Sequence, residues 1–131
     1  EMTLIYFSAA WIKLLGPAWR DGTALYYVSR LDDYWGRFPI PAVLLETPWI
    51  VRSLTWSTMA AEFAVPLLIW FQPTRRIALG IAITFHLACE YAMYLFLFHW
   101  IMLTGWMSFL QTEDFQLAAR ILRLKTANSR T

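Results

Sequence analysis

Charged residues and cysteines are scarce in this chain of 131 residues. Charged side chains make up 15% of it and hydrophobic ones 59%, whereas soluble domains average about 25% and about 45–50%. The single cysteine, Cys89, cannot form an intrachain disulfide. The formal net charge of +2 is small, and the basic residues form no stripe or patch, so nucleic acid is disfavoured as a partner.

Several motifs that carry enzyme chemistry are also missing from the sequence. It contains no Gly-rich phosphate loop, no nucleophile elbow and no Cys-pair motif. Function classes that depend on those motifs are therefore disfavoured.

Two long apolar stretches, residues 51–71 and 77–110, dominate what is present. The first has the length of a membrane helix, while the second is too long for one span and somewhat short for two. We predict a helix to about residue 95 and a shorter or re-entrant helix over 98–110. The tryptophans, tyrosines and phenylalanines are typical of membrane interfaces. The predicted fold is an all-α integral membrane protein with about three to four transmembrane or re-entrant helices plus interfacial helices.

Shorter elements flank these stretches. Residues 3–15 predict a helix that ends at Gly16 and Pro17, because glycine tolerates a left-handed cap and proline cannot continue the helix. A polar connector over residues 19–48 follows, with a short interfacial helix predicted over residues 22–31.

Prolines and basic residues mark further boundaries. Pro39 and Pro41 are predicted to exclude a regular helix before the second stretch, and Pro66 to kink that stretch. Residues 72–76 are predicted to form a tight basic turn. We assign residues 1–110 to the membrane domain and residues 111–131 to a polar, partly amphipathic tail.

Four ionisable residues lie within apolar stretches: Lys13, Glu62, His86 and Glu90. A charge at the bilayer centre costs roughly 2.5–3.5 kcal/mol even on the lenient insertion scale, so such residues usually face a protein interior or a cavity. Lys13 either extends to the interface with its stem packed on lipid or faces inward as a base. Glu62 is either protonated, paired with Lys13 or an arginine for packing, or active in binding and proton handling.

His86 and Glu90 are four positions apart and therefore share one face of a predicted helix. Such a pair either binds a metal or forms a hydrogen bond that relays protons. A metal would need further ligands, for which His99 and Glu62 are the nearby candidates, and no standard ligand spacing occurs. A structural hydrogen-bonded pair is the commoner outcome, and we assign no metal site.

A family resemblance rests on the order of several motifs. The pattern Tyr6-Phe7-x-Ala9-x-x-x-Lys13-Leu14, followed by Trp19-x-x-Gly22, resembles the membrane region of vitamin K-dependent γ-glutamyl carboxylases. It is equally similar to the bacterial relatives known as the HTTM (horizontally transferred transmembrane) family. The later motifs occur in the family's order: Glu62, Arg75-Arg76, Phe85-His86 and Phe98-x-x-x-Met102-Leu103.

In the carboxylases, the lysine that matches Lys13 is assigned as the base that deprotonates vitamin K hydroquinone. The resemblance therefore implies that Lys13 is a general base and that Glu62, His86 and Glu90 line a cavity for a quinone or a lipid. It covers the C-terminal half of the family domain, without the carboxylases' large lumenal domain, and one extra residue separates Lys13 from Trp19. Because the sequence opens with Glu1, we expect a processed product or a piece of a longer protein.

Two hypotheses follow for function. In the first, the chain is a small accessory membrane subunit that contacts lipids and needs other transmembrane subunits to cover Lys13 and Glu62. In the second, it is a quinone-binding membrane enzyme or module of the carboxylase type with Lys13 as base.

Overall fold

The computed structural model of the chain describes residues 1–31 and 36–128. Apart from one isolated antiparallel bridge between Gly36 and Met93, the regular structure of these residues is helical. The helices are α1 (Met2–Leu15), α2 (Pro17–Arg20), α3 (Ala24–Val28), α4 (Ala42–Glu46), α5 (Pro48–Leu68), α6 (Gln72–Ala92), α7 (Phe98–Met107) and α8 (Thr112–Asn128). Part of the predicted connector and residues 129–131 of the predicted tail lie outside the described residues.

The helices pack around α5. Helices α1 and α6 lie against it, α7 packs on α6 and touches α1, and the short helices α3 and α4 also contact α5. The core between α1, α5, α6 and α7 is formed by Tyr6, Val65, Ile69, Ala78, Leu79, Ala82, Met102 and Trp106. Small alanines on α6 let its backbone approach its neighbours, while Trp106 fills the centre with no exposed surface.

The all-helical class is thus confirmed. Helices α5 and α6 have 21 residues each. Across residues 1–31 and 36–128, however, no helix combines the length and the hydropathy needed to cross a membrane. The membrane spans therefore stay a prediction.

The break inside the second apolar stretch is confirmed, since α6 ends at Ala92 and α7 begins at Phe98. The predicted turn over residues 72–76 is wrong, because these residues form the first turn of α6. Pro73 lies in that turn, where the backbone N–H that proline lacks would have no partner within the helix.

Two other local predictions need correction. Gly16 ends α1 in an extended conformation, with φ −80° and ψ 128°, rather than in a left-handed cap, because Pro17 begins α2 directly after it. A short helix, α4, lies between Pro41 and the next stretch, where a regular helix was not expected. Pro41 precedes this helix, so its ring breaks no hydrogen bond there.

Candidate functional site

Lys13 and Glu62 face each other between α1 and α5. The Lys13 Nζ contacts Glu62 Oε1 in an ion pair, and the side chains are 23% and 7% exposed. The Trp19 ring also lies beside the ammonium, with its centroid 5.1 Å from Nζ. Lys13 therefore faces inward. Glu62 is paired with Lys13, which was one of the alternatives predicted for it. Glu62 Oε2 is buried and has no hydrogen-bond partner among the described residues.

A second polar cluster links α1, α6 and α7. The Trp106 Nε1–H donates to the Tyr6 hydroxyl oxygen at 3.0 Å, and the same hydroxyl lies 2.7 Å from His86 Nε2. His86 Nδ1 lies 3.2 Å from His99 Nδ1. All four side chains are buried, and His99 Nε2 has no partner within the described part of the chain. The four residues form one hydrogen-bonded row, which we call the Tyr-His row.

Glu90 has a different partner from His86, although the two share a face of α6. Its carboxylate forms an ion pair with Arg37, which lies in the connector. The connector is also tied to the end of α6 by a hydrogen bond from Arg37 N–H to the Ala92 carbonyl, 3.4 Å, and by one from the Tyr91 hydroxyl to the Pro39 carbonyl, 3.2 Å. The sequence-predicted site residues are therefore distributed over three polar contacts.

An apolar cleft of about 960 Å³ lies between α3, α4, α5, α6 and the connector. Cys89 and Phe85 both line it. Cys89 is within electrostatic range of Glu62 and Lys13, and Phe85 contacts the His86 ring edge-on with centroids 5.4 Å apart. The lining residues include no member of the ion pair or of the Tyr-His row, so Cys89 and Phe85 are the residues through which the cleft approaches them. Of the described residues, no three His, Cys, Asp or Glu side chains are placed to hold a metal ion.

Comparison with known proteins decides the family. The model of the HTTM domain matches residues 1–113. The chain belongs to the HTTM domain family. No curated protein and no solved structure matches it.

Sequence reasoning missed several residues around the site of this HTTM chain. Tyr6 entered only as part of a motif and Trp106 not at all, although both hydrogen-bond within the core. A hydroxyl and an indole N–H inside apolar stretches were the available signals, because buried polar groups need partners. His99 was considered only as a metal ligand, and it contacts His86 instead.

Asp114 on α8 was also missed. It contacts the first turn of α6, at the opposite end of that helix from Glu90. Its Oδ1 accepts a hydrogen bond from Arg76 Nε at 2.6 Å, and its Oδ2 accepts one from Gln111 N–H at 3.0 Å and lies 3.4 Å from Arg75 Nη2. The Gln111 N–H and the Arg76 guanidinium hold the pKa of Asp114 below its ordinary value. Asp114 therefore fastens the start of α8 to the start of α6 in this HTTM domain.

Proposed function

We propose that this HTTM domain works in a membrane as an acid–base module that deprotonates the hydroxyl of an apolar quinol-type molecule, with Lys13 as base and Glu62 as its partner. The observation that carries the proposal is the inward-facing Lys13–Glu62 pair, whose second carboxylate oxygen has no protein partner.

The chemistry of the pair suits proton transfer. In the proposed step the proton of the pair resides on Glu62, so that the lysine is a neutral amine. Transfer of a hydroxyl proton to that amine breaks the substrate O–H bond and forms an N–H bond. The products are an ammonium, a neutral carboxyl and a substrate oxyanion, so the new anion is paired with the Lys13 cation.

The cost of such a pair also supports a role beyond stability. Buried ion pairs are commonly replaceable by packed apolar residues at little loss of stability, so their presence is weak evidence for a purely structural purpose. Within a membrane, ionisable residues usually mark ligand or proton sites.

The exposed surface supports a membrane setting. Large apolar side chains are exposed on α1, α5, α6 and α7 and in the turn between α5 and α6: Leu4, Trp11, Ile12, Trp49, Trp56, Trp70, Phe71, Ile77, Trp100 and Ile101. So many exposed large apolar side chains support contact with a membrane or with a protein partner. The cleft beside Cys89 is the space we assign to the apolar body of the ligand.

The test uses the chain in lipid nanodiscs with 2-methyl-1,4-naphthalenediol under anaerobic conditions. The ultraviolet spectrum of the bound diol reports its ionisation as the pH is raised. For the wild type we expect at least about a tenfold higher ratio of anion to neutral diol at a given pH than for Lys13→Met, equivalent to one pKa unit of the diol. Arg20→Met, which removes an exposed basic residue, is the matched control and should behave as the wild type.

Equal ionisation in the wild type and Lys13→Met would contradict the proposal. The second candidate, an accessory membrane subunit, is favoured by the same exposed apolar surface. That hypothesis assumed that other subunits cover Lys13 and Glu62. It loses support because Lys13, Glu62 and Glu90 find partners within the chain. Recovery from native membranes in an assembly of fixed stoichiometry, without diol ionisation, would support the subunit; a chain that is monodisperse and stable alone would count against it.

A further inference from the structure

The donors and acceptors of the Tyr-His row fix its direction. An indole N–H can only donate, so Trp106 must donate to the Tyr6 oxygen, as the 3.0 Å contact shows. Tyr6 retains one proton of its own to donate. Among the described residues, the one other polar atom within hydrogen-bond distance of this hydroxyl is His86 Nε2, at 2.7 Å.

Two arrangements of protons are compatible with these contacts. In the first, Tyr6 O–H donates to His86 Nε2, His86 Nδ1–H donates to His99 Nδ1, and His99 carries its proton on Nε2. In the second, the two contacts of His86 are reversed while Trp106 still donates to Tyr6: His99 Nδ1–H donates to His86 Nδ1, and His86 Nε2–H donates to the Tyr6 oxygen.

The number of unpaired groups separates the two arrangements. The first leaves one buried donor unpaired, His99 Nε2–H. The second leaves two groups unpaired, the Tyr6 O–H proton and the lone pair on His99 Nε2. Because every unpaired buried polar group carries a desolvation cost, the first arrangement is the more stable one.

We propose that His99, through Nε2–H, is a neutral hydrogen-bond donor for a carbonyl oxygen of a bound molecule, and that Trp106, Tyr6 and His86 are positioning residues that fix its tautomer. Nothing in the described part of the chain accepts from this donor, although His99 is only 2% exposed. A buried donor without a protein partner is the expected state of a site whose acceptor belongs to a ligand.

The surroundings match a planar carbonyl compound. The Phe98 ring lies edge-on to His99 and to His86, with centroids 5.3 and 6.4 Å away, and Phe85 flanks His86 and lines the cleft. Aromatic walls with few directed polar groups are typical of small-molecule sites. Trp106 cannot accept a proton, so the row is closed at that end and orients His99 rather than conducting protons through the core.

The experiment exploits the fact that the chain has only two histidines. Two-bond proton–nitrogen spectra of the ¹⁵N-histidine-labelled chain in nanodiscs distinguish the Nδ1–H from the Nε2–H tautomer of each ring. We expect Nδ1–H for His86 and Nε2–H for His99. Tyr6→Phe removes the donor to His86 Nε2 and should shift the populations of both tautomers, whereas Tyr27→Phe, at an exposed tyrosine, should leave them unchanged.

A ligand arm tests the donor itself with 2-methyl-1,4-naphthoquinone as the probe. Its addition should shift the His99 Nε2–H resonance downfield and leave the His86 tautomer in place. The reversed tautomers in the wild type, or a His99 resonance that does not respond to the quinone, would overturn the inference. The inference rests on the proposed function only for the choice of probe. Lys13→Met should lower the diol ionisation but leave both histidine tautomers unchanged, so each proposal can fail without the other.

Discussion

Lys13 and Glu62, 49 positions apart in the chain, form an ion pair that ties α1 to α5. The same two helices contribute Tyr6 and Val65 to the apolar core, and the Trp19 ring lies beside the Lys13 ammonium. The attraction between the two charges is stronger in the protein interior than in water, because the interior screens charges less.

Loss of one partner of this pair should be more harmful than loss of both. Lys13→Met leaves Glu62 without its cation, and Glu62→Leu leaves Lys13 without its anion. Breaking a buried pair costs roughly 3–5 kcal/mol, and we expect a value at or below the lower end because Lys13 is partly exposed. The free energy of unfolding in a mild detergent measures the effect.

The double variant Lys13→Met/Glu62→Leu is the control. Replacement of both partners by apolar side chains of similar volume should bring stability close to that of the wild type, because no uncompensated charge remains. If the two single losses simply added in the double variant, the ion pair would contribute no coupling and this account would be wrong.

Local sequence patterns predicted the helices well and their contacts poorly. The length of the second apolar stretch predicted the division between α6 and α7, and the spacing of four correctly placed His86 and Glu90 on one face of α6. It could not supply their partners, since Tyr6 lies 80 positions before His86 and Arg37 lies in the distant connector. Such partners are set by which helices pack together, which depends on the whole chain.

The wrong boundary predictions have a similar origin. Residues 72–76 look like a turn because Gln72, Pro73 and two arginines are adjacent, yet proline is well tolerated in the first turn of a helix. The arginines at that position are then explained by Asp114, 38 positions after Arg76. Local composition cannot predict a contact between residues so far apart in the chain.

Acid should release α8 from α6. The folded-state pKa of Asp114 lies below its ordinary value of 3.8, chiefly through the Gln111 N–H and then through Arg76. Because the folded-state pKa is lowered, the stabilisation is fully present when the pH is above the unfolded-state pKa. It is lost as the pH falls through the folded-state pKa. We therefore expect the contact to weaken below about pH 4.

A distance measurement between spin labels would check this. Labels at Ile77→Cys and Gln116→Cys, both exposed, would be placed in a Cys89→Ser background. Asp114→Asn should show the released distance already at neutral pH, and Glu113→Gln, the neighbouring acidic residue, should match the parent. A distance that stays constant through acidification and in Asp114→Asn would contradict the fastening role.

Two helical glycines should respond differently to alanine. A Cβ at Gly80 on α6 would meet nothing within 4 Å, whereas one at Gly105 on α7 would lie 2.5 Å from the Met2 Sδ. Gly80→Ala should stabilise the chain by roughly 0.5–1 kcal/mol, since glycine inside a helix is conformationally costly. Gly105→Ala should gain less, because Met2 must leave its contact with the core.

Thermal or denaturant unfolding would compare the two variants. Truncation of the methionine tests the cause: in a Met2→Ala background, Gly105→Ala should yield the same gain as Gly80→Ala. An equal gain in both variants without that truncation would show that Met2 imposes no constraint on α7.

Gly22 should tolerate substitution less well than Gly80 or Gly105. Its φ of +83° lies in the left-handed region, and a Cβ there would lie 2.9 Å from the Arg52 Cγ and 3.1 Å from the Trp56 Cε2 on α5. The backbone conformation alone should cost Gly22→Ala roughly 1–2 kcal/mol, and the contacts should add to it. Arg52→Ala removes the closest contact while leaving φ unchanged. The double variant should therefore recover only the part of the loss due to the Arg52 Cγ, because the position-52 Cβ and the Trp56 Cε2 would still lie 3.1 Å away. It should also retain the backbone part, as measured by the free energy of unfolding. Complete recovery in the double variant would show that the left-handed conformation is not required at this position and that the turn before α3 is free to change.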